Sequence, residues 1–103
     1  RFKPDNWPHN LTLVDAFNAL AGEAGVTPAQ LSLAWVLSRG DHIIAIPGTA
    51  SLAHLEENFA RWDWELPVEL AGRLDRLINR ETVGGPRYNT AIQAAIDTEE
   101  FAN

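Results

Sequence analysis

Cysteine and methionine are both missing from these 103 residues, and lysine and tyrosine occur once each, as Lys3 and Tyr88. Without cysteine there are no disulfides and no thiolate chemistry, although this absence alone fixes no compartment. Positive charge is also scarce: eight basic residues face fourteen acidic ones, for a net charge of −6. Proteins that bind a phosphate backbone carry a basic face, so no nucleic acid partner is expected. No apolar run approaches the ~20 residues that cross a bilayer, and no secretory leader pattern opens the chain, so no membrane partner is expected. His9, His42 and His54 have no ligand spacing, and no metal site is expected. What remains is ordinary for a soluble globular protein: 46% hydrophobic and 21% charged residues, enough for one modest core.

The punctuation along the chain is mostly helical. Leu13, Phe17, Leu20 and Ala24 recur at helical spacing, with Val14 and Ala21 beside them, and predict a helix over about 10–24. Asp5 or Asn6 can cap it if it starts early, with Pro8 tolerated in its first turn. Gly25 stands where a left-handed C-terminal cap is expected, with apolar Val26 behind it. Thr27-Pro28-Ala29-Gln30 is a second start signal, a capping box with proline at the first helical position, and a strongly apolar helix should follow to about 38–40.

Residues 43–46, Ile-Ile-Ala-Ile, read as a strand: short, continuously apolar and β-branched at three of four positions. The lack of polar alternation suits a parallel strand covered on both faces. A Pro47-Gly48 turn follows, then Ser51 as the cap of a helix with Leu52, Leu55 and Phe59 as its buried stripe. The segment 62–65, with Trp62 and Trp64, should press against apolar surface. Pro67 opens another helix, striped by Leu70, Leu74, Leu77 and Ile78, with Glu69 and Arg73 paired at i,i+4 on its wet face. Residues 83–86 break the chain, and a weaker helix over about 90–96 precedes an acidic tail.

Helix–strand–helix order with a doubly buried strand belongs to a parallel α/β fold. Alone, that strand would leave roughly eight backbone polar groups without partners. Each costs about 1–3 kcal/mol if buried so, a total comparable to the ~5–15 kcal/mol stability of a whole domain. Neighbouring strands must come from other sequence or another copy of the chain. The chain is therefore expected to be a segment of a larger domain.

Thr27-Pro28-Ala29-Gln30-Leu31-Ser32-Leu33-Ala34-Trp35-Val36-Leu37, then residues 43–49, then His54-Leu55-Glu56-Glu57-Asn58, and finally Arg87-Tyr88, resemble in order the C-terminal part of an aldo-keto reductase. The resemblance implies a fold class of α/β, the C-terminal part of a (β/α)8 TIM barrel, mostly helical with one parallel barrel strand near 43–46. Residues 10–39 would supply the helices between the seventh and eighth strands, 51–61 the helix after the eighth, and 67–80 an accessory helix. It also implies a cytoplasmic oxidoreductase that reduces an aldehyde or ketone by hydride transfer from NADP(H), with NAD(H) as the alternative.

The resemblance places the adenosine-phosphate end of the cofactor on this segment. Gly48, Thr49, Ala50 and Ser51 would meet the phosphate, His54 would lie beside it, and Glu57 and Asn58 would face the adenine. A helix start suits that task on its own terms, because its first N–H groups lack acceptors and carry partial positive charge. Many members have Lys at the place of Gly48 and Arg at that of His54, so two cationic contacts are weakened here. The catalytic Tyr, Lys, Asp and His of the family lie much earlier in its sequences. Tyr88 and Lys3 have no matching context, so no catalytic residue is assigned and the chain alone should be inactive. Its partners would be the remainder of the barrel and a small carbonyl substrate.

Other readings compete with this one. Residues 10–24 and 28–38 imitate a helix-turn-helix, but the second helix has no Arg, Lys or Asn with which to read bases. A noncatalytic regulatory or protein-interaction module on a reductase-like barrel is the other alternative, which cofactor titration would separate. Glu56 and Glu57 are adjacent on a helix and point apart, so they form no acid–base pair. The tryptophans are packing residues by default; the resemblance makes Trp7 the exception, since late loops of these barrels often help shape the substrate mouth.

Overall fold

The computed structural model describes residues 1–97. Among them are α1 (Trp7–Ala24), α2 (Pro28–Leu37), α3 (Leu52–Ala60), α4 (Val68–Leu77) and α5 (Thr90–Ala95). The acidic tail lies largely outside the described residues.

Helix α1 starts earlier than its apolar spacing suggests, at Trp7, with Pro8 in the first turn as that early start allows. Asn6 occupies the cap position without a side-chain cap bond. The helix ends at Gly25, whose φ of +70° is left-handed. Gly25 N–H donates to Gly22 O at 3.2 Å and Val26 N–H to Ala21 O at 3.1 Å, the paired bonds of a Schellman stop. The same turn buries Val26 and brings Thr27 into place for α2. There the capping box closes in both directions: Gln30 N–H donates to Thr27 Oγ1 at 3.2 Å, and Thr27 N–H to Gln30 Oε1 at 3.0 Å.

Helix α1 packs against both α2 and α4. Phe17, Leu20 and Ala21 of α1, Val26, Leu31 of α2, and Leu70 and Leu74 of α4 form the core, with Trp35, Trp64, Leu66, Leu77 and Ile78 half-buried around it. The stripe expected on α4 thus does its work. Two polar ties reinforce the packing. Arg73 bonds Glu23 of α1 at 2.7 Å, in place of the partnership with Glu69 that the i,i+4 spacing suggested. Asp75 accepts from Trp35 Nε1 at 2.9 Å and from both terminal nitrogens of Arg39, whose guanidinium also lies 5.4 Å from the Trp35 ring centre. The Arg39 and Trp35 bonds hold the Asp75 carboxyl below its ordinary pKa, and the Arg73 bond does the same for Glu23.

The break after α4 is also anchored. Asn10 of α1 makes a peptide-like pair with Gly84, donating to its O at 2.9 Å and accepting from its N–H at 2.8 Å. Gly85 next to it has φ of +81°, the left-handed region that favours glycine, and a Cβ there would displace the Asn6 side chain.

Two expectations are not met among the described residues, for one physical reason. No strand forms among the described residues. Residues 43–49 run as irregular chain, and the backbone of 44–48 makes no hydrogen bond to another described residue. Ile44 is 86% and Ile46 92% exposed. A strand is defined by a ladder, and a ladder needs a second chain segment of the right shape, which the described residues do not contain. The apolar stripe of α3 fails likewise: Leu52 and Phe59 are 71% and 61% exposed, and α3 buries no residue. Of the two connector indoles, Trp64 packs on the core, whereas Trp62 is 74% exposed.

Candidate functional site

The turn into α3 is built from hydroxyls. Ser51 N–H donates to Thr49 Oγ1 at 3.1 Å, and Thr49 Oγ1 donates to Ser51 O at 3.2 Å, so Thr49 curls over the turn. Ser51 then caps the helix, its Oγ accepting from His54 N–H at 3.4 Å. Its carbonyl takes the first helical bond, from Leu55 N–H at 3.0 Å. Helix geometry leaves the Leu52 and Ala53 N–H groups with no intrahelical acceptor. No acidic side chain occupies the first turn of α3. Gly48, Thr49, Ala50 and His54 are all exposed, with Ser51 half-buried. This is an open, hydroxyl-lined helix start with two free donors and favourable dipole polarity, able to accept an anionic oxygen group.

Glu57 and Asn58 lie two turns further along α3 and are half-buried. Asn58 borders a cleft of about 590 Å³ shared by α2, residues 45–47 and the connector after α3, whose other walls include Gln30, Leu33, Leu37, Phe59 and Trp64. The seven expected residues thus divide into a group at the open helix start, 48–54, and a half-buried pair at 57–58, of which Asn58 borders the cleft, both on one short helix and its lead-in.

One residue of the neighbourhood went unassigned as a site residue in the sequence. Gln30 uses Oε1 for the α2 cap, and its Nε2 donates to the Glu57 carbonyl of α3 at 2.9 Å. A signal did exist, since a capping-box glutamine has a spare amide NH2 that a glutamate lacks. Trp7 is 42% exposed and tilted against Phe2 at 5.4 Å between ring centres.

Comparison with known proteins supplies the class. The Aldo/keto reductase family profile matches residues 1–79, a span that includes α1 to α4 and the whole turn into α3. "Aldo-keto reductase yakc [NADP(+)]" of Schizosaccharomyces pombe is 38% identical over 88 residues, covering 85% of this chain and 26% of that protein. "Aldo-keto reductase str7" of Strobilurus tenacellus is 31% identical over 98% of the chain and 30% of its own length. "Probable aldo-keto reductase 1" of Glycine max is 32% identical over 89% of the chain and 27% of its own. No solved structure matches. The chain belongs to the aldo/keto reductase family. It spans between about a quarter and a third of the length of these relatives. Among the described residues no helix is long and apolar enough to cross a membrane.

Proposed function

We propose that this chain is the C-terminal segment of one barrel domain in a cytoplasmic NAD(P)H-dependent oxidoreductase, and that residues 48–58 hold the adenosine-phosphate end of the cofactor. The observation that carries this reading is the start of α3: two unclaimed N–H groups, two hydroxyls and no acid, open to solvent apart from the half-buried Ser51, inside the stretch that the family profile matches. The NADP(+) in the name of the fission-yeast relative agrees with it.

The residues present fit such a group. The Ser51 hydroxyl with the Leu52 and Ala53 amides supplies donors to phosphate oxygens, Thr49 shapes the turn through its bonds to Ser51, and the helix start supplies a fixed positive potential. Glu57 and Asn58 offer an acceptor and a two-way amide to an adenine edge. The bound nicotinamide would supply hydride to the carbonyl carbon of an aldehyde or ketone. The contribution of this segment is to bind and orient the far end of the cofactor, so its binding energy fixes where that hydride donor lies. The acid that protonates the carbonyl oxygen would come from sequence outside this segment, as would the strands that pair with residues 43–46.

In the full-length protein, Asn58→Ala should raise the dissociation constant for NADPH by about fivefold, the worth of one hydrogen bond, as read by fluorescence titration. Turnover at saturating cofactor should fall by less than that. An unchanged dissociation constant would overturn the assignment.

A further inference from the structure

We infer that Gln30 is a positioning residue for the cofactor site, setting the seat of α3 on the protein body through the Glu57 carbonyl. The inference rests on the reading of α3 as the cofactor-binding helix and goes beyond it, because Gln30 belongs to a different helix and lies outside the phosphate turn.

Within this segment helix α3 buries none of its side chains. It meets the rest of the protein along α2. The polar tie between the two helices is Gln30 Nε2 to Glu57 O at 2.9 Å, one residue before Asn58. The amide of Gln30 has a single sensible orientation. With Oε1 toward the Thr27 N–H and Nε2 toward the Glu57 carbonyl, both ends are matched; flipped, donor would face donor and acceptor would face acceptor. The α2 cap therefore orients the side chain, and the oriented side chain holds α3. Gln30 and Asn58 also border the same cleft, so a rotation of α3 would carry Asn58 across that wall. Small displacements of this kind weaken ligand contacts without removing any contacting group.

The two jobs of Gln30 can be separated. Glutamate is as good as glutamine at this position of a capping box, so Gln30→Glu keeps the α2 cap. It loses the donor to Glu57 O and sets a carboxylate against that carbonyl. In the full-length protein Gln30→Glu should raise the NADPH dissociation constant about fivefold, while kcat at saturating cofactor falls by less. Melting temperature should stay near wild type. Combined with Asn58→Ala, the rise should be smaller than the product of the two single effects, since one variant acts through the residue that the other removes. Amide exchange in the cofactor-free protein should quicken in α3 and not in α2.

That combination supports the positioning role. Weaker binding in Asn58→Ala beside unchanged binding in Gln30→Glu overturns the role of Gln30 and leaves the cofactor reading intact. Unchanged binding in Asn58→Ala overturns the cofactor reading, and the role of Gln30 with it. Fully multiplicative single effects also overturn the positioning role.

Discussion

Gly48 precedes the turn into α3, and a Cβ built there meets no heavy atom within 4 Å. Nothing in the backbone therefore demands glycine, and a long cationic side chain has room to reach the start of α3. Gly48→Lys should raise affinity for NADPH relative to NADH severalfold, because only the former carries the extra phosphate; an unchanged ratio of dissociation constants would mean that this turn faces elsewhere. Gly25 is the opposite case. Its left-handed φ costs an L-residue about 1–2 kcal/mol, so Gly25→Ala should destabilise the protein by about 1 kcal/mol in urea unfolding, though no atom crowds the site. Gly22→Ala, also uncrowded but inside the α1 helix, should stabilise by about 0.5–1 kcal/mol. The opposite signs isolate backbone conformation from packing.

At the level of elements, α4 is attached to α1 and α2 by charges whose titration has a definite sign. Asp75 and Glu23 both have folded pKa values below their unfolded ones. Their contribution is complete only well above the unfolded carboxyl values of about 4, and is lost as pH falls through the lower folded values. Asp75→Asn should therefore cost stability at pH 7 and little at pH 3, narrowing the difference that wild type shows between the two in urea unfolding. Equal cost at both would mean that the carboxylate charge is not what the substitution removes. Helix α3 contrasts with α4. Both have clear start signals and an apolar stripe, yet Leu70 and Leu74 are buried whereas Leu52 and Phe59 are not. Periodicity states which face wants cover and is silent on whether cover exists.

The whole molecule carries the signature of missing contacts. Its accessible surface is 7658 Å², against roughly 5,800 Å² for a self-contained monomer of this mass. The excess is on the order of 1,900 Å² on this chain alone, about twice what one side of a standard interface buries. The radius of gyration, 15.1 Å, likewise exceeds the ~13 Å of a compact domain of about 100 residues. Both quantities fit a chain with an uncovered apolar side, to which the exposed Ile44, Ile46, Leu52 and Phe59 belong. Amides of residues 44–46 should accordingly exchange at nearly free rates in the isolated 103-residue chain and be strongly protected in the full-length protein. Protection in the isolated chain, or fast exchange in both, would remove residues 43–46 from any inner sheet.

Helix ends were legible residue by residue: the Thr27–Gln30 box, the Gly25 stop and the Ser51 cap all formed as their side-chain chemistry requires, because each closes within a few residues of backbone. The order of elements and the family motif were equally local in origin. Residues 43–46 and the α3 stripe were not decidable in that way, since a ladder and a buried face each need a second surface, and only the packed chain states whether one is there. The tie from Gln30 to Glu57 belongs to the same group. Its donor could be seen in the amino acids, but its acceptor lies 27 positions away and was brought within reach only when α2 and α3 packed.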